Sequence, residues 1–134
     1  MEQKRILCVD DDADMRRAIV DTLTQSGFSV AEESAGEEAV ERLLRESFDL
    51  VLLDIAMPGM SGIDVLRVLG RQQRKCPVIV LTGKAGFQMA TESLMLGAVE
   101  FVTKPFAPEF LLDTVNRILG NDEEHTPPQK PNAS

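Results

Sequence analysis

The sequence predicts an α/β fold: a three-layer, doubly wound, five-stranded parallel sheet with strand order 2-1-3-4-5. Two observations predict it. Segments of two different periods alternate along the chain, and the continuous apolar runs each stop abruptly at polar or small residues. Ile6–Val9, Leu50–Leu53 and Val78–Leu81 are unbroken apolar runs, as expected of central parallel strands covered on both faces. Between the first two, Met15, Ile19 and Leu23 recur every four residues, and Ala39, Val40, Leu43 and Leu44 form a second helical stripe. Phe28–Glu32 follows Gly27 and is polar enough for an edge strand. Ile63–Leu69 reads as a helix after the Met57–Pro58–Gly59 turn, and a fourth helix is expected from Phe87 to Leu96. Val99–Val102 is the fifth strand and Pro108–Leu119 the last helix, with Gly97 and Gly120 as helix stops. Right-handed crossovers then give the sandwich, and the ligand crevice lies at the carboxyl ends of strands one and three.

The chain has 134 residues, 43% of them hydrophobic, enough for one domain with a proper core. That domain is expected over residues 1–120. Residues 121–134, NDEEHTPPQKPNAS, lose the apolar periodicity and carry three prolines, so they read as a disordered tail or the start of a linker. No apolar run approaches the roughly 20 residues of a membrane span. The start, MEQKRILCVDDD, is not patterned as a secretory signal, and a cytoplasmic, membrane-free location is expected.

With 22 acidic against 14 basic residues and a formal charge of -8, the domain would repel a phosphate backbone, so no direct contact with nucleic acid is expected. Cys8 and Cys76 lie far apart with neither CxxC spacing nor a nearby histidine, and both read as reduced thiols. The only histidine is His125, in the tail, which leaves a histidine-based triad without its base.

Chemistry concentrates at the predicted strand ends. Asp10, Asp11 and Asp12 follow the first strand, Asp54 the third, Thr82 the fourth and Lys104 the fifth. The fold would gather these distant positions into one crevice. Clustered carboxylates repel one another and need shared protons or a hard cation. Magnesium suits this set better than calcium, because there are few protein oxygens and no EF-hand loop. Asp54 can then act as a nucleophile toward phosphorus, Asp11 ligate the metal directly, Asp10 do so directly or through water, and the Ala56 carbonyl complete the protein ligands. Lys104 offers a flexible positive charge to the phosphoryl group and Thr82 a hydroxyl donor. Taken singly, each has a plainer reading: Lys104 as a solvated charge, Thr82 as a helix cap. Asp12 is read as the cap of the first helix rather than as a ligand.

The segments ILCVDDDADMRR, LVLLDIAMPGMSGIDVL, VIVLTGK and GAVEFVTKPF, in that order over roughly residues 4–120, resemble the successive signatures of response regulator receiver domains. The resemblance implies a flavodoxin-like, CheY-like fold and a signalling switch rather than a turnover enzyme. It implies phosphorylation of Asp54 by a sensor histidine kinase or histidine phosphotransfer protein. It further implies a Mg2+ pocket from Asp10, Asp11, Asp54 and the Ala56 carbonyl, a switch hydroxyl at Thr82, phosphate pairing by Lys104, and commonly a cis bond between Lys104 and Pro105.

Some positions depart from the common pattern. Phe101 stands where many members have a Tyr that turns inward, so coupling to Thr82 would run through packing alone; an ordinary core phenylalanine is the plainer reading. Gly83 replaces a frequent Ala. Ala56 and Lys84 flank the route of an in-line water and are expected to tune the phosphoryl lifetime, mainly through Lys84, unless that lysine is simply solvated. Met89, Met95 and Leu96 exceed what one buried stripe needs. With Phe106 they suggest an exposed patch on the face of helix four, strand five and helix five, which in this family binds partners or a second copy; core packing is the alternative. A haloacid-dehalogenase-type phosphatase shares the Asp nucleophile and magnesium but needs an Asp where Ala56 stands. A receiver-like module without phosphate chemistry is disfavoured by the complete acidic set, and a flavodoxin-type carrier by the absence of Trp, Tyr and a phosphate loop.

Overall fold

The computed structural model describes residues 3–72, 76–83 and 87–120. Five strands, β1 (Arg5–Val9), β2 (Ser29–Glu33), β3 (Leu50–Asp54), β4 (Val78–Thr82) and β5 (Glu100–Thr103), alternate with five helices. These are α1 (Ala13–Gln25), α2 (Gly36–Arg45), α3 (Gly62–Arg71), α4 (Phe87–Met95) and α5 (Pro108–Leu119). All strand pairs are parallel, in the order β2-β1-β3-β4-β5.

The apolar runs are continuous because both faces are covered, and successive side chains go to opposite layers. Leu7, Val9, Val51, Leu53, Val78 and Val80 face α2 and α3, meeting Ala39, Leu43, Ile63, Leu66 and Leu69. Ile6, Cys8, Leu50, Leu52, Ile79 and Leu81 face α1 and α5, meeting Ile19, Leu23, Leu111 and Val115. Every residue of β3 and β4 is buried, whereas β2 has only exposed and half-buried residues and closes one edge.

Two strands begin one residue later than apolarity predicts, since ladder pairing rather than hydrophobicity sets the start. Phe28 is buried, but its amide donates to the Leu23 carbonyl at 3.1 Å while that of Gly27, at φ 99°, donates to Thr24. This paired closure ends α1 and spends Phe28 on covering it. The same arrangement ends α4, with Gly97 at φ 114° and the Ala98 amide on Ser93. Asp12 caps α1 as expected, accepting from the amides of Asp14 and Met15. Among the described residues no helix is long and apolar enough to cross a membrane. Lys84, His125 and residues 121–134 lie outside the described residues.

Candidate metal and phosphoryl-acceptor site

The strand order reverses direction between β1 and β3, so the loops after these strands diverge to opposite faces and leave a crevice. Asp10 leaves β1 and Asp54 ends β3 at this crevice, both buried, while Asp11 is exposed at its mouth. Oxygens of the three carboxylates lie within 4.8 Å of one another. This donor set fits a hard divalent cation, being all oxygen and mutually repulsive without one.

Asp10 is held on every side. Its Oδ1 accepts from the Asp12 amide at 2.9 Å and its Oδ2 from Lys104 Nζ at 3.0 Å. Lys104 Nζ also stands 3.7 Å from Asp54 Oδ2, so one ammonium bridges the two buried carboxylates. Asp54 Oδ1 accepts from the Ala56 amide at 3.2 Å. Burial, and then the negative charge of Asp10, push the Asp54 carboxyl up to about 7, although Lys104 and the Ala56 amide pull the other way. For Lys104, burial works against the charge, but the hydrogen bond and charge of Asp10, followed by Asp54, outweigh it and leave its pKa raised.

Thr82 ends β4 beside this cluster, buried, with its hydroxyl donating to the Gly83 carbonyl at 3.2 Å. Its own carbonyl accepts from the Lys104 amide at 2.7 Å, which ties the lysine-bearing loop to β4, and the Lys104–Pro105 bond is cis. Behind Asp54, α3 starts close in: a Cβ on Gly62 would lie 2.7 Å from the Asp54 carbonyl oxygen and from Ile55 Cα. The structure thus brings Asp10, Asp11, Asp54, Lys104 and Thr82 to one end of the sheet, with Ala56 exposed beside Asp54.

Phe101 is half-buried against the α2/α3 layer, and Phe106 packs partly against the opposite one. Met95 is 83% exposed and Met89 36%, whereas Leu96 is half-buried; Leu94, Val99 and Phe110, not singled out by the sequence, are also exposed. A hollow of about 380 Å³ is lined in part by Phe101, Phe106 and Phe110. Sequence reasoning also passed over Arg16, which reaches the back of the Asp10 peptide, and Glu32, which accepts from Arg16. Their meeting depends on the β1–β2 pairing, and neither stands in a motif that signals it.

Residues 6–116 match the response regulator receiver domain family model. The chain belongs to the response regulator receiver family. This receiver domain is 36% identical to the chemotaxis protein CheY of Thermotoga maritima over 116 residues, which are 86% of this chain and 97% of that protein. It is 32% identical to the cell cycle response regulator CtrA of Brucella ovis, covering 90% of this chain but 52% of the regulator, so it spans about half of that relative. A CheY-like response regulator receiver domain protein from Methanospirillum hungatei superposes with a TM-score of 0.84 at 30% identity, over 93% of this chain and 100% of that one. As a receiver domain, the chain is a phosphorylation-signalling unit of two-component systems rather than a turnover enzyme, and histidine kinases are the general partners of its family.

Proposed function

We propose that Asp54 accepts a phosphoryl group from the phosphohistidine of a sensor histidine kinase or histidine phosphotransfer protein, with Mg2+ held by Asp10, Asp11, Asp54 and the Ala56 carbonyl. The observation that carries this reading is the Asp10, Asp11 and Asp54 cluster with Lys104 across its two buried members. Magnesium, when bound there, neutralises charge on the incoming phosphoryl oxygens. An Asp54 oxygen attacks phosphorus, the phosphorus–nitrogen bond to the donor imidazole breaks, and the imidazole keeps that electron pair. Lys104 then pairs with the phosphoryl oxygens, and the Thr82 hydroxyl turns from Gly83 to donate to them. Ala56 has no group that could activate a hydrolytic water, so the lifetime falls to Lys84 and to any external phosphatase. The change is read at the face of α4, β5 and α5, where Met95, Phe101 and Phe106 lie, by a partner protein or a second copy.

Intact-mass analysis with acetyl phosphate tests the reading. One added phosphoryl mass is expected that requires magnesium and is absent from Asp54→Ala; a folded native chain that binds magnesium and gains no mass would overturn it.

A further inference from the structure

The acidic crevice has cations on two sides, and they are placed differently. Lys104 sits among the carboxylates and touches their oxygens. Arg16, on α1, lies behind them. Its Nη1 donates to the backbone carbonyl of Asp10 at 2.6 Å and its Nε to Glu32 Oε1 of β2 at 2.9 Å, with only 19% of the side chain exposed. The Asp10 peptide has just left the ladder. Its amide still reaches the Glu33 carbonyl at 3.2 Å, and Arg16 donates to its carbonyl.

We propose that Arg16 is a positioning residue for the metal site, clamping the Asp10–Asp11 turn to the end of β2 so that both carboxylates are set for the cation. The proposal rests on the metal reading above and deepens it. A planar guanidinium with donors in a rigid fork can hold a carbonyl and a carboxylate at once, and it stays charged at any working pH. Lysine has one compact ammonium and cannot span the two with the same geometry. Because Arg16 grips the peptide rather than the carboxylates, it fixes the turn without occupying an oxygen the cation needs, which Lys104 does not avoid. Partners of this kind, one step behind the ligands, typically carry about 10–100-fold in metal affinity.

Position and charge make opposite forecasts. If Arg16 acted only by its charge, removing it would leave the crevice more negative and tighten magnesium binding. If it positions the turn, removing it weakens binding. The chain lacks Trp and Tyr, so intrinsic fluorescence gives little handle. Stepwise magnesium addition to 15N-labelled protein, followed by the amide resonances of Asp11, Asp12 and Asp54, reads the affinity without any phosphoryl donor. Arg16→Gln is expected to raise the magnesium midpoint about tenfold, with Arg16→Lys between it and native despite its retained charge. Glu32→Gln keeps an acceptor for Nε and should stay within about twofold of native.

A folded Arg16→Gln protein with an unchanged or lower midpoint overturns the proposal, even if its Tm has dropped, because Arg16 is then a structural brace only. Arg16→Lys at the native midpoint also overturns it, since the fork is then dispensable; that variant decides the matter if Arg16→Gln fails to fold. Should the native chain itself show no magnesium response at these amides, the metal reading fails and this assignment goes with it.

Discussion

The proposed acceptor role sets two requirements on Asp54 that conflict in the metal-free protein. A nucleophilic carboxylate must be ionised, yet burial and the neighbouring Asp10 raise its pKa to about 7. In the unfolded chain the same group titrates near 3.8, so between these values the folded state binds more protons than the unfolded one. Its contribution to stability is therefore fully present below about pH 4 and is lost as pH rises through about 7. Lys104, whose pKa is raised, remains charged throughout that window and does not reverse the sign. Asp54→Asn removes this slope. In EDTA the variant should be more stable than native by about 1 kcal/mol at pH 8, shrinking toward pH 4. Urea midpoints at several pH values check this, and equal midpoints at pH 8 would show that Asp54 carries no strain from its surroundings.

At the scale of elements, what matters for the site is how closely α3 approaches the end of β3. Ser61 and Asp64 form a reciprocal capping box that starts the helix, and the Gly62 amide donates to the Ile55 carbonyl at 3.0 Å. This leaves no room for a methyl group at Gly62, where it would meet backbone at 2.7 Å. Eight residues on in the same helix, a Cβ at Gly70 would meet nothing within 4 Å. One substitution type should thus have opposite signs within one element. Gly62→Ala is expected to destabilise by about 2–3 kcal/mol and to move the Asp54 resonance. Gly70→Ala should stabilise by about 0.5–1 kcal/mol and leave Asp54 where it is. Denaturation curves paired with amide spectra measure both.

Across the whole molecule, an acidic chain of net charge -8 concentrates three carboxylates at one end of its sheet. A cation that binds only the folded state stabilises all of it by mass action. Magnesium at ten times its Kd should add about 1.4 kcal/mol, or roughly 3–6 °C in Tm for a domain of this size. The gain should be larger at pH 8 than at pH 5, where protons compete for Asp54. Thermal scans with magnesium and with EDTA test this, and an increment independent of pH would separate the cation from that carboxylate.

The layered architecture was legible because local pattern and global cover agree: Ile6–Val9, Leu50–Leu53 and Val78–Leu81 are apolar throughout since helices lie on both sides of them. Asp10, Asp11, Asp54, Thr82 and Lys104 were legible for a related reason. Parallel strands end on one edge, so a polar residue after each apolar run marks the crevice. The sequence by itself thus determined the order of elements, the layers and the set of residues at the strand ends. Only the tertiary structure decided what those residues touch: Lys104 nearer Asp10 than Asp54, Arg16 reaching Asp10 and Glu32, Phe28 closing α1 instead of opening β2, and Met95 in solvent while Leu96 packs inward. Periodicity records which face of an element is covered, because burial acts on each residue separately; pairings between side chains depend on register and crossing geometry, to which residues far apart in the chain contribute jointly.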